Sequence, residues 1–288
     1  MPIATTTPPA LPCWRSRRPP LGFLVALSFA VLAPLAGPAA ANERHFTFTY
    51  ETAVLPQGGK ELEVWTTPRL GREHRFYAAF DQRLEFEVGV TDRLMTAFYI
   101  NFSGTNQTVI DPAGGTRARV ASFDYGGVSS EWKLKLADPV ADPLGFALYE
   151  EVLLAPDEVE FETKLLFDKQ VGHLLLAANL VSEVELEMRT VGETEPELNF
   201  EADLAAGYQL RPGLWLGLEA RSVNLLEDEE LESSSIFAGP VFAYATKGWW
   251  AALTATPQIY APKSESGHRD LIYQEAFTAR ILFSFHLE

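Results

Sequence analysis

Long runs of strict apolar–polar alternation constrain this chain more than any other feature. Between residues 198 and 208, Leu198, Phe200, Ala202, Leu204, Ala206 and Tyr208 share one parity, and Asn199, Glu201, Asp203, Ala205 and Gly207 share the other. The same period runs through 76–88, 159–168, 174–187 and 277–287. Successive side chains of a strand point to opposite faces, so this period specifies β-strands with one apolar and one polar face. Helical spacing is absent after residue 42. Twelve segments read as strands: 60–69, 75–89, 93–102, 118–136, 144–154, 158–169, 173–187, 198–209, 214–223, 236–245, 249–259 and 272–287. Parity changes near Gly126-Gly127, which predicts a bulge. The segment 236–245 is apolar on both faces and carries Pro240.

Residues 1–41 read as an address. Arg15, Arg17 and Arg18 precede an uncharged apolar run at 21–35, and Ala39-Ala40-Ala41 supplies a cleavage site. This is the grammar of a secretory signal peptide. Its removal takes away the single cysteine, Cys13, and shifts the formal charge from -16 to -19. That charge excludes a nucleic-acid partner, which needs a basic face. The lack of further cysteine excludes disulfide frameworks and cysteine metal sites. No cofactor is expected.

Alternating strands admit two architectures. A soluble sandwich buries its apolar faces; a transmembrane barrel turns them to lipid and encloses the polar ones. Strand length favours the barrel, because many segments exceed ten residues and a tilted strand needs about 9–11 to cross the hydrocarbon. The connections also divide. Tight turns at 90–92, 170–172, 210–213 and 246–248, with a longer one at 137–143, fall on one side. Longer polar loops at 103–117, 188–197, 224–235 and 260–271 fall on the other, as in outer-membrane barrels. Trp132, Tyr208, Trp215, Tyr244, Trp249 and Trp250 lie near the tight turns and suggest an interfacial girdle, although Trp215 has polar-face parity.

The expected fold is therefore all-β, a single transmembrane antiparallel β-barrel of about twelve strands. Residues 1–41 are the signal peptide, 42–59 a periplasmic or lumen-inserted segment, and 60–288 the barrel. The mature chain resembles Gram-negative outer-membrane β-barrels. Its turn Gly89-Val90-Thr91-Asp92-Arg93-Leu94 is similar to the G-x-T-D-R-L hairpins of such proteins. The stretch 50–69, Gly239-Pro240, and Trp249-Trp250 with Pro257-Gln258 resemble an uncharacterised family near the outer-membrane proteins linked to phenol-degradation pathways. The resemblance implies an outer-membrane location, lipid and lipopolysaccharide contacts, and the barrel-insertion machinery as partner. It implies transport more loosely. The chain departs from the usual aromatic C-terminus by ending Leu287-Glu288.

Parity assigns a charged lumen. Candidate lining acids are Asp81, Glu85, Glu87, Glu131, Glu160, Glu162, Glu183, Glu185, Glu187, Glu201, Asp203 and Glu219, with Glu61, Glu63 and Asp168 on the same faces. Candidate bases are Arg83, Lys133, Lys135, Lys164, Arg221 and Arg280. A turn centred on Arg211 would place Glu201 opposite Arg221 and Asp203 opposite Glu219. The acidic excess predicts a passive channel for a small solute, since charged rings set selectivity. Two alternatives stand beside it: a non-conducting structural or interaction barrel with a salt-bridged interior, and a secreted β-sandwich binding module. No enzyme is expected. The histidines form no metal-binding pair, no G-x-S-x-G elbow occurs, and Ser284 with His286 is the nearest approach to a catalytic pair.

Overall fold

The computed structural model describes residues 43–72, 75–110, 117–188, 196–227, 230–264 and 268–287. The expected signal peptide lies outside them. Twelve antiparallel strands follow in order: β1 (Lys60–Arg72), β2 (Arg75–Thr91), β3 (Leu94–Ile110), β4 (Arg117–Ala137), β5 (Gly145–Leu154), β6 (Glu158–Val171), β7 (Leu174–Glu187), β8 (Pro196–Arg211), β9 (Leu214–Glu227), β10 (Glu230–Ala245), β11 (Trp249–Tyr260) and β12 (Phe277–Leu287). Each pairs with its sequence neighbours, and β12 closes on β1. Closure removes the free edge that an open sheet would expose to hydrocarbon, where each unpaired backbone group costs several kcal/mol.

The exposed and enclosed faces are inverted relative to a soluble protein. Leu204 and Leu218 are each 63% exposed, whereas Asp203 is 2% and Glu219 1% exposed. Phe98, Leu154 and Leu180 are likewise open, and Glu85, Glu131 and Glu151 are buried. A sandwich would place these residues the other way round. The alternation thus faces apolar side chains outward around a polar interior.

Several boundaries differ from the sequence expectation. β3 runs on to Ile110, β9 ends at Glu227, and β10 begins at Glu230, so parts of the expected loops 103–117 and 224–235 are strand. These extensions are rich in Ser, Thr, Asn and Gln. Beyond the apolar band neither face needs to be greasy, so backbone pairing continues while the periodic signal fades. β12 begins five residues late, at Phe277. Asp270 accepts the amides of Ile272 and Tyr273 at 3.1 and 3.2 Å, which holds that stretch as a turn.

The predicted bulge is present. The β3–β4 register shifts between Ile100 and Phe102, and Gly127 sits at φ 92°, where a side chain would be strained. Gly239-Pro240 has an equally local cause. The β10–β11 register breaks off between Phe237↔Gln258 and Val241↔Thr254, beside the two prolines Pro240 and Pro257, which carry no N–H. There the strands approach so closely that a Cβ on Gly239 would lie 1.8 Å from the Ala255 carbonyl oxygen. Gly239→Ala is expected to force the strands apart and destabilise the barrel by about 1–3 kcal/mol. Heat-dependent gel mobility checks this: the variant should unfold at a lower temperature than the parent.

The aromatic girdle needs one correction. Trp132 and Tyr208 face outward, about half exposed, and Trp249 stacks on Phe283 at 5.4 Å. Trp250 is 1% exposed and lies inside, where its indole donates to Glu61 at 3.2 Å. Adjacent strand residues take opposite faces, so only one of the pair can reach the interface. Trp215 is also interior, as its parity requires.

Candidate functional site: a carboxylate row and an inserted N-terminal segment

The interior is organised by register. Directly opposed partners run His286–Glu61–Glu87–Ala97–Glu131–Glu151–Glu162–Glu183–Asn199, crossing from β12 through β1 to β8. Because barrel strands are staggered, this row climbs from the tight-turn end at His286 to the long-loop end at Asn199. A second row places Glu63 opposite Glu85, then Glu160 opposite Glu185, and Glu185 opposite Glu197. Like charges directly opposite are destabilising, so such rows need donors.

Donors are supplied from neighbouring positions. Arg83 reaches Glu151 at 3.3 Å, and the Tyr149 hydroxyl donates to the same carboxylate at 2.6 Å. Lys164 pairs with Glu162 at 2.8 Å, and the Asn199 amide donates to Glu183 at 3.0 Å. The Tyr99 hydroxyl donates to Glu131. Arg221 holds Glu201 through two bonds, at 2.5 and 2.8 Å.

The expected cross-strand register at 210–213 is corrected. Arg211 pairs with Leu214, so the turn is Pro212-Gly213, and Asp203 faces Arg221 while Ala205 faces Glu219. A shift of two residues preserves the face but changes every partner. Arg221 still meets Glu201 because a long side chain reaches its diagonal neighbour.

The other candidates sit as follows. Glu85, Glu87, Glu131 and Lys133 are buried in the half nearer the tight turns. Lys135 is at the turn end and donates to Asp138 at 2.7 Å. Asp81 is held by Arg69 at 2.9 Å near the opposite end. Glu160 and Glu185 are half-buried toward the long loops, and Glu187 is exposed at that rim. Glu151, not among the residues expected to line the lumen, is also buried there, while its neighbour Glu150 faces outward. The inward series Ala147, Tyr149, Glu151 and Leu153 on β5 carries the signal.

Residues 43–55 lie inside the barrel. Phe46 is fully buried, and Phe48, Tyr50 and Leu55 nearly so. Three consecutive amides, of Thr47, Phe48 and Thr49, donate to the Glu219 carboxylate at 3.2, 3.0 and 2.8 Å. The Thr47 and Thr254 hydroxyls donate to it as well. Asn179 exchanges two bonds with the Tyr50 backbone, at 2.6 and 2.9 Å, and Asp168 accepts from Thr52 twice, at 2.9 and 2.8 Å. Phe48 carries the guanidiniums of Arg221 and Arg280 over its ring at 4.0 and 4.2 Å. These contacts assign Asp168, Glu219, Arg221 and Arg280 to holding the segment. A polar cavity of about 130 Å³ adjoins it, bounded by Phe48, Tyr50, Lys164, Glu183, Arg221 and Arg280 among others.

The segment carries its own titratable lock. His45 bonds Glu51 at 2.8 Å and packs on Trp215 at 4.3 Å. Burial alone would lower its pKa, but the Glu51 carboxylate outweighs that and holds it above the ordinary imidazole value. Burial, which disfavours the charged carboxylate, raises the neighbouring Glu43. Both shifts favour the protonated, inserted state. The lock is thus fully present below about pH 6.5, the unperturbed value, and is lost as pH rises through the raised imidazole pKa. In planar bilayers, conductance should increase as pH rises from about 6.5 through the raised imidazole pKa, and His45→Gln should flatten that dependence.

Ser284 and His286 do not form a catalytic pair. Both bond Glu61, the hydroxyl at 2.8 Å and the imidazole Nδ1 at 2.8 Å.

No curated protein is significantly similar to the chain in sequence. Among solved structures, the COG4313 outer membrane channel from Pseudomonas putida F1 superposes with a TM-score of 0.58 at 13% identity, covering 82% of this chain and 98% of that one. The NanC porin superposes with a TM-score of 0.52 at 10% identity, covering 78% and 100%. At such identities the likeness extends to the fold. Over residues 38–287 the sequence matches a family of unknown function, DUF6662. The chain belongs to DUF6662.

Proposed function

We propose that this barrel is an outer-membrane channel for small cationic solutes, with the carboxylate row as its path and residues 43–55 as its closure. The observation that carries this is the row itself: aligned acids on six strands lead from one rim to the other. Solved barrels of similar fold are described as a channel and a porin, which supports passage as the role. The outward apolar band fits a lipid bilayer, and the tight turns fit its periplasmic side. Lipid and lipopolysaccharide are then the surrounding partners. Phe283 and Phe285, adjacent on the last strand's outer face, offer the insertion machinery its aromatic signal.

The filled lumen favours one rival, a non-conducting barrel. Planar bilayers separate the two. Purified full-length protein should show brief, small openings, and removal of residues 42–59 should give sustained ones. Silence from both preparations would leave the non-conducting reading standing.

A further inference from the structure

The strongest concentration of unexplained charge lies on β1 and β2 near the tight turns. Register sets Glu61 opposite Glu87 and Glu63 opposite Glu85, on one inward face. All four side chains are at least 96% buried. One oxygen each from Glu61, Glu63 and Glu87 lies within 4.8 Å of the others. Two consecutive like-charged pairs, desolvated, are costly unless something positive stands among them.

Arg44 acts on Glu63 and Glu85 and Lys133 on Glu87, so two cations stand against four carboxylates and offset them only in part. Glu61 is oriented by Trp250, Ser284 and His286, at 3.2, 2.8 and 2.8 Å. Trp65 donates to Glu63 Oε2 at 2.9 Å. Such outer partners fix the orientation of the Glu61 and Glu63 carboxylates. They leave Glu63 Oε1 buried without a hydrogen-bond donor, and Glu85, also buried, has only the Glu87 carboxyl as a hydrogen-bonding neighbour. Arg44 is nearby, but its hydrogen bond goes to the Thr47 carbonyl, at 2.9 Å, and its guanidinium lies over Tyr50 at 3.8 Å. Lys133 is buried on β4, and the His286 Nδ1 is committed to Glu61.

We propose that Glu61, Glu63 and Glu87, with Glu85 beside them, hold one hard divalent cation of the calcium class. The donor set is carboxylate oxygen, which suits calcium. Zinc or copper would call for several imidazole or thiolate donors, and the cluster presents neither. The site has a structural consequence. Ser284 and His286 belong to β12, so the cation ties the first hairpin to the closing strand across the barrel's seam. The site does not depend on conduction: a barrel that binds calcium without conducting, or conducts without binding it, separates this inference from the channel reading.

The test uses purified full-length protein in detergent and terbium as a luminescent calcium substitute. Trp65 and Trp250 both hydrogen-bond to proposed ligands, so indole excitation should sensitise terbium emission, and calcium should displace it competitively. Glu63→Gln together with Glu87→Gln should abolish the signal and lower calcium affinity by roughly 100-fold. Glu227→Gln with Glu230→Gln, at the long-loop ends of β9 and β10, should leave it unchanged. Should the first variant fail to fold, the parent still decides. Calcium should be retained stoichiometrically after desalting, and chelation should lower the temperature at which the barrel loses its compact gel mobility. Absence of bound calcium with no chelator effect, an unchanged signal in the double variant, or tighter binding of zinc than of calcium would overturn the proposal. The first result would mean that the carboxylates are held by shared protons alone.

Discussion

Glu219→Ala should release the N-terminal segment and convert brief openings into long-lived ones. One carboxylate accepts three successive backbone amides of that segment and the hydroxyls of Thr47 and Thr254. Hydrogen bonds to a charged group contribute about 1.5–3 kcal/mol each, and a buried amide left without an acceptor costs about 1–3 kcal/mol. Solvation of the released segment recovers part of this. A net loss of only about 3 kcal/mol would still shift the inserted-to-released ratio by roughly 100-fold, at one decade per 1.4 kcal/mol. Glu219→Gln, which keeps one acceptor oxygen, should fall between the parent and the alanine variant. Open probability in bilayers measures the effect, and new protease sensitivity near residues 43–55 supplies an independent reading. The barrel's gel mobility should persist, because β9 keeps its backbone pairing. An alanine variant with the parent's open probability and protease resistance would show that Glu219 does not hold the closure.

The second large effect concerns the outer face. Leu204 lies half-way along β8, 63% exposed. Leu204→Arg should destabilise the barrel in liposomes by about 2–4 kcal/mol, the depth-dependent cost of a cation on the lipid face. In a water-soluble protein, a substitution at so open a position would normally change stability by less than about 0.5 kcal/mol. Denaturant titration in liposomes measures the difference. Near-parental stability would mean that β8 does not meet hydrocarbon.

The strands and their inward parity were legible because a membrane barrel repeats one simple rule. Every spanning segment must present alternate apolar residues, as 198–208 does. The rule lapses where the strands leave the apolar band, which is why β3 and β10 are longer than their sequences suggest. It is also silent on register. Parity survives a two-residue slip, so the face of Arg221 could be read but its direct partner, Asp203, could not. The turn residues Pro212-Gly213 decide that point, with Gly213 at φ 75°. Trp249-Trp250 misled for a related reason: clustering suggests a girdle, while alternation sends one of them inward. The inserted segment alternates at 45–50 (His-Phe-Thr-Phe-Thr-Tyr) yet forms no strand, so period alone does not place it. Its placement depends on Glu219, Asn179 and Asp168, residues remote in sequence whose convergence appears only once the barrel closes. The Glu61–Glu87 and Glu63–Glu85 pairs likewise follow from register and not from spacing.

The most direct measurement is the reversal potential of the barrel lacking residues 42–59, in a planar bilayer under a KCl gradient. The enclosed carboxylate row requires a potential of the sign set by cation permeation. That potential should shrink toward zero when Glu162, Glu183 and Glu185 are replaced together by Gln. A potential near zero in the parent, or one of the opposite sign, would contradict a cation path along these residues.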